Sequence, residues 1–207
     1  MSKKKVISEI FSWCKALIIA TSIAIIINAF ILQPFTVSGS SMEPTLDGKD
    51  PMNEDKIGDR VLIYKSAFIL GEDPKFNDIV IIDRRVNKKR EVKDYLLESP
   101  IVSLIIRNND DEKNYWIKRV IGEAGDTIEF KNGRVYRNGT ELVENYIREE
   151  EMVVPFETIV VPENYIFVMG DNRNGSMDSR EIGPIPKENV LGKVLLRYYP
   201  LHKINNF

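Results

Sequence analysis

Residues 127–139 read TIEFKNGRVYRNG, and this stretch decides the fold class. Two short runs, 127–131 and 134–137, flank Asn132-Gly133. Asn-Gly supplies the two positive φ angles of a tight hairpin turn, so the runs are expected to be paired antiparallel strands. Asn138-Gly139 offers a second turn directly afterwards. Outward from this hairpin the same rhythm persists: short alternating or apolar runs separated by turn residues, which is how β-rich chains read. Strands are expected at 60–64, 79–82, 116–121, 127–131, 134–137, 165–169 and 193–198. The expected class is all-β, mainly antiparallel and barrel-like. One segment breaks the rhythm. Residues 84–114 combine a basic run (RRVNKKR), an apolar stretch (IVSLII) and an acidic cluster (NNDDE), and read as a long, partly helical surface excursion.

The amino-terminal side is different in kind. No charged residue occurs from Ala16 to Met42, and ALIIATSIAIIINAFIL at 16–32 is apolar apart from Thr21, Ser22 and Asn28. Seventeen helical residues reach roughly 26 Å, close to the hydrocarbon thickness of a bilayer. The run is longer than a signal-peptide core, and Gln33-Pro34-Phe35 stands where a small-residue cleavage site would lie, so an uncleaved signal anchor is expected. Lys3, Lys4, Lys5 and Lys15 flank its amino end, and positive flanks stay cytoplasmic. The expected organisation is a cytoplasmic segment at 1–15, a single transmembrane helix at 16–34, and an extracytoplasmic β-rich domain at 35–207.

Composition removes several chemistries. In 207 residues, Lys+Arg total 29 and Asp+Glu 31, without the basic excess of a nucleic-acid binder. Cys14 is the only cysteine, which excludes an intramolecular disulfide, a CxxC pair and a thiolate zinc cage, and no metal or cofactor is expected. His202 is the only histidine, in what reads as an ordinary mobile tail. A Ser-His-Asp triad would have to be built around that residue. A hydroxyl nucleophile therefore needs another base, and lysine is the main remaining option.

Three segments carry candidates. VSGSSMEPTL at 37–46 lies immediately beyond the apolar run; alone, its Gly39-Ser40-Ser41 reads as a flexible turn. YWIKRVIG at 115–122 places Lys118 in an apolar strand, with Trp116 and Val120 on its face and Ile117, Arg119 and Ile121 on the other. Alternation does not separate Lys118 from Arg119; chemistry does, because arginine keeps its proton whereas a buried lysine can lose one. On this pattern alone Lys118 reads as a snorkelling surface lysine. GDNRNGSMDSREIGPIP at 170–186 follows the apolar strand YIFVM and reads alone as a loop of Asx-type turns.

Taken together, in this order and behind an amino-terminal anchor, the three segments resemble type I signal peptidases of the bacterial kind, membrane serine proteases with a Ser/Lys dyad. SM-x-PTL, KR-x-x-G and GDNR…S-x-DSR carry the resemblance, which covers nearly the whole chain outside 84–114. It implies Ser41 as nucleophile, Lys118 as general base and Ser176 as the hydroxyl orienting the lysine amine. It also implies Asp178 and Arg180 as a supporting ion pair, with Asp171 in a structural role. Val37, Met42, Leu46 and Ile117, with Phe35, match the positions that the resemblance assigns to the substrate pocket. Three departures stand out: Asn174-Gly175 for the usual Asp-Asn, Gly122-Glu123-Ala124-Gly125 for Gly-Leu-Pro-Gly, and Gly39 where some relatives carry an oxyanion-binding serine. The oxyanion hole is then left to backbone N–H groups, that of Ser41 first. The implied activity is removal of signal peptides from secretory preproteins at a bacterial plasma membrane, with preproteins and membrane lipid as partners and no nucleic acid. The competing expectation is a non-catalytic, single-pass receptor or adhesion domain.

Overall fold

The computed structural model describes residues 3–50, 52–53, 55–85, 92–97, 99, 102, 115–148 and 155–207. Helix α1 (Lys3–Phe30) is followed by β1 (Leu32–Thr36), β2 (Arg60–Tyr64), α2 (Ser66–Ile69), β3 (Ile79–Asp83) and α3 (Val92–Leu97). Then come β4 (Tyr115–Gly122), β5 (Thr127–Lys131), β6 (Arg134–Arg137), β7 (Thr140–Glu141), β8 (Ile159–Val160) and β9 (Tyr165–Met169). Helix α4 (Ser179–Ile182), β10 (Ile185–Pro186), β11 (Val190–Tyr199) and β12 (Asn205–Asn206) complete the chain.

All strand pairs are antiparallel. The larger sheet runs β1-β2-β11-β3-β4-β9-β10, with β12 beside β11, and is a half-barrel whose two end strands do not meet. A smaller sheet runs β7-β6-β5-β8. Its hairpin is the one that the Asn-Gly pair predicts: Asn132 and Gly133 have φ of 51° and 79°, and Asn138 and Gly139 repeat the geometry at 54° and 77°. Three apolar clusters form the core, centred on Val61, Ile63 and Ile79, on Val80, Val120 and Val168, and on Ile121, Ile128 and Phe167. β4 contributes to all three through Ile117, Val120 and Ile121, which makes it the strand where the cores meet.

α1 differs from expectation at both ends. It begins at Lys3 and stops at Phe30, and residues 32–34, expected to lie in the anchor, form part of β1. Pro34 is tolerated there because β1 is an edge strand, paired on one side only with β2. The apolar stretch Ile7–Phe30 is long enough to cross a membrane and is largely exposed, meeting the rest of the chain near its carboxy end, where Ala29 is buried. Two of its polar side chains have partners: Ser22 donates to the Ile18 carbonyl at 2.9 Å within the helix, and Asn28 accepts from the distant Ser99 at 2.8 Å.

Most of the 84–114 excursion lies outside the described residues. In the described part, Arg85 forms a bidentate pair with Asp83 near the start of the segment, and Tyr95 of α3 packs its ring 6.2 Å from that of Phe30 at the end of α1. The carboxy terminus, expected to be a mobile tail, is folded back: 201–203 form a 3-10 turn and β12 pairs with Leu196 and Arg197 of β11. His202 is exposed on that turn.

Candidate active site

Ser41 lies in a tight turn beyond β1. The chain enters it through Val37, whose N–H donates to the Asp59 carbonyl at 2.8 Å, and through Gly39, whose φ of +74° favours glycine. Glu43 N–H then donates to Ser40 O and Leu46 N–H to Met42 O, which closes the turn around Ser41. Among the described residues the Ser41 N–H donates to no protein acceptor.

Lys118 approaches from β4, where it pairs with Val80 of β3. The central place of β4 in the sheet takes its amine out of water, and the residue is only 3% exposed, so the snorkelling reading is overturned. Its Nζ lies 2.8 Å from Ser41 Oγ and 5.7 Å from the centre of the Trp116 ring. Among the described residues no carboxylate forms an ion pair with it. Burial lowers its pKa from 10.5 to about 8; Asp178 pulls upward and Arg180 downward.

The loop 170–180 supports this pair from one side. Gly170 sits so close that an added Cβ would lie 2.4 Å from Ser41 O and 2.3 Å from Ser176 Oγ. Asn172 then donates twice into the serine turn, from its N–H to Ser41 O at 3.0 Å and from Nδ2 to Ser40 O at 3.1 Å. Asp178, fully buried, accepts from Gly170 N–H, Ser176 Oγ and the Arg180 guanidinium at 2.7 to 2.9 Å. Burial pushes its carboxyl up, but Arg180 and the other donors outweigh this and hold it below the usual carboxylate range. The Ser176 hydroxyl donates to Asp178 at 2.7 Å, and the hydrogen-bond partner of the Lys118 amine is Ser41.

Asp171 connects the three motifs directly. It receives Arg119 bidentately, Nε at 2.9 Å and Nη2 at 2.7 Å, and the Thr45 hydroxyl at 2.5 Å. Tyr146 covers the guanidinium, its ring centre 3.9 Å from Arg119 Cζ, and Glu144 pairs with the buried Arg173. Thr45, Asn172, Glu144 and Tyr146 are not singled out by the sequence, and Arg119 enters there only as the neighbour from which Lys118 is distinguished. Thr45 and Asn172 fall inside the motifs, whereas ENY at 144–146 carried no signal because its partners are distant in the chain.

Of the expected pocket residues, Val37, Met42, Leu46 and Ile117 form one cluster, with Phe35 packed against it. Met42 and Leu46 have no exposed surface, so they brace this cluster from beneath and present nothing for a substrate to touch. Phe35 is half-buried and stands edge-on to Tyr115, with ring centres 5.7 Å apart. Among the described residues no cluster of His, Cys, Asp and Glu is arranged to hold a metal ion.

The chain is similar to signal peptidase I of Bacillus licheniformis, at 35% identity over 95% of this chain and 92% of that one. It is likewise similar to signal peptidase I of Bacillus amyloliquefaciens, at 32% over 97% and 91%. A crystal structure of a signal peptidase I from Enterococcus faecalis aligns at 27% identity and a TM-score of 0.40, covering 59% of this chain and 97% of that one. Residues 10–199 match the family described as signal peptidase, peptidase S26, and the chain belongs to that family.

Proposed function

We propose that this protein is a signal peptidase I, a serine endopeptidase that removes amino-terminal signal peptides from secretory preproteins with Ser41 as nucleophile and Lys118 as general base. The observation that carries the reading is the 2.8 Å contact between a buried amine and a hydroxyl, in a chain of a peptidase family. At pH 7 an amine of pKa about 8 is neutral in roughly one molecule in ten, whereas an ordinary lysine is neutral in roughly one in 2,500. Burial therefore raises the population of competent base by more than two orders of magnitude.

In the first step Lys118 Nζ accepts the Ser41 proton as Oγ attacks the scissile carbonyl, and the Ser41 N–H stabilises the oxyanion. Gly39 adds no side-chain donor, so this hole rests on backbone. The resulting ammonium gives its proton to the departing amine, leaving an acyl-enzyme. Lys118, neutral again, activates water for hydrolysis of the ester. Ser176, Asp178 and Arg180 hold the loop against the amine. A substrate would lie extended beside the half-buried Phe35, with small side chains near the cleaved bond. The anchor α1 keeps residues 1–15 in the cytoplasm and holds the catalytic domain, 35–207, at the outer face of a bacterial plasma membrane, where cleavage sites emerge.

Ser41→Ala is expected to abolish preprotein cleavage in detergent. Lys118→Arg is expected to be nearly as inactive as Lys118→Ala, a loss of about a thousandfold or more, because arginine keeps the charge but does not accept the proton. Substantial turnover by the arginine variant would refute the base assignment.

A further inference from the structure

We propose that Arg197 of β11, backed by the folded carboxy terminus, is a positioning residue that clamps the far end of the Ser41 turn, at Thr45, while Asn172 holds its start at Ser40 and Ser41. The inference rests on the reading of Ser41 as nucleophile. Arg197 is mostly buried, and its Nη1 donates to the Thr45 carbonyl at 2.8 Å and to Asp59 Oδ2 at 2.9 Å. Thr45 lies four residues after Ser41 in the same turn, and its hydroxyl is the one that Asp171 holds. Asp59 in turn accepts from Asp47 N–H at 2.9 Å and donates its own N–H to Asp47 O at 2.7 Å. One guanidinium thus joins the end of the serine turn to Asp59, the residue immediately before β2.

The tail completes the clamp. Arg197 Nε donates to the Lys203 carbonyl at 2.7 Å, and the Phe207 ring lies 5.9 Å from its Cζ. Lys203 also reaches Asp47 with its amine, so the last residues touch the serine turn twice, once through Arg197 and once directly. Three planar donors committed to three oxygens fix a guanidinium in one orientation, which a flexible ammonium does less well. The clamp does not reach Lys118, and it meets the pocket cluster through backbone beside Val37 and Leu46 rather than through their side chains, so its loss is expected chiefly to move Oγ relative to Nζ.

The test compares kcat and KM for a preprotein, using the full chain in detergent, for Arg197→Met, Arg197→Lys and a chain ending at Pro200. Arg60→Met is the control: Arg60 stacks on Tyr199 in the same sheet, 5.1 Å from its ring centre, without reaching the serine turn. Arg197→Met is expected to lower kcat about ten- to a hundredfold, the scale of a displacement of about 1 Å, with KM within about twofold. Arg197→Lys recovers only part of that loss, because an ammonium does not hold all three oxygens in one plane, and the chain ending at Pro200 shows a smaller loss in the same parameter. Unchanged kcat, a loss confined to KM, or an equal loss in Arg60→Met overturns the proposal. If Arg197→Met does not fold, Arg197→Lys and the shortened chain are read by the same criteria. Turnover surviving in Ser41→Ala overturns both this proposal and the reading it rests on, whereas failure of Arg197 alone leaves that reading intact.

Discussion

Lys118 and Arg119 are neighbours on β4, point to opposite faces and are both buried, yet the two faces treat a cation in opposite ways. Arg119 is met by a carboxylate at two points, by an amide oxygen and by an aromatic ring. Lys118 is met by a hydroxyl and an indole. Compensation on one face fixes a charge permanently and turns it into a structural tie. Its absence on the other makes the charge costly and the proton removable. A fold that needs a rigid scaffold and a labile proton within one dipeptide obtains both from which side of the strand the carboxylate occupies.

Asp171→Asn attacks the compensated face and is expected to have the largest effect on stability. Removing one member of a buried pair leaves the other charge unpaired, at a cost of about 3 to 5 kcal/mol. Chemical denaturation in detergent reads this directly, and a loss below about 1 kcal/mol would show that the pair is not what holds the motifs together.

Lys118→Met tests the other face and has the opposite sign. The amine has a folded pKa of about 8 against 10.5 when solvated, so between these values the unfolded chain binds more protons and stability rises with pH. Below pH 8 the fold carries the full penalty, about 3 kcal/mol at 1.36 per unit. The methionine variant, though inactive, is therefore expected to be more stable than the parent at pH 7 by about that amount. The difference should close as pH rises towards 10.5. Equal stabilities at pH 7 would mean that Lys118 is not held at a cost.

Ser176→Ala probes the coupling between the loop and the amine, and its expected effect is the smallest. Its hydroxyl is one of several donors to Asp178, so its removal should lower kcat about fivefold, equivalent to one ordinary hydrogen bond of about 1 kcal/mol, with the circular dichroism unchanged. A loss as large as that of Lys118→Ala would instead give Ser176 a direct part in proton transfer.

Much of the fold was legible because its signals are local. The Asn-Gly turns, the apolar strand at 165–169 and the run at 116–121 each carry their own pattern, and the strands formed there. Residues 32–34 of β1 read as the end of the anchor because the uncharged run continues past the helix; pairing with β2 separates them. The short strands β7, β8, β10 and β12 contain two residues each and owe their existence to partners rather than to pattern. In the site, residue types were legible from motifs, but contacts were not. Arg119 and Asp171 are 52 residues apart and Arg197 and Thr45 152 apart, distances over which only the folded chain says who meets whom. Ser176 shows the same limit, since its motif position indicated a hydroxyl near the amine but not the hydrogen bond that it donates to Asp178.

The central claim is that the Lys118 amine is neutral within reach of physiological pH because the fold keeps it dry beside Ser41. Lysine labelled with 13C at Cε, titrated by NMR in the detergent-solubilised full chain and assigned by the resonance that disappears in Lys118→Arg, measures this directly. The predicted result is one lysine titrating near 8, well apart from the rest. A Lys118 resonance titrating with the solvated lysines at about 10.4 would contradict the account.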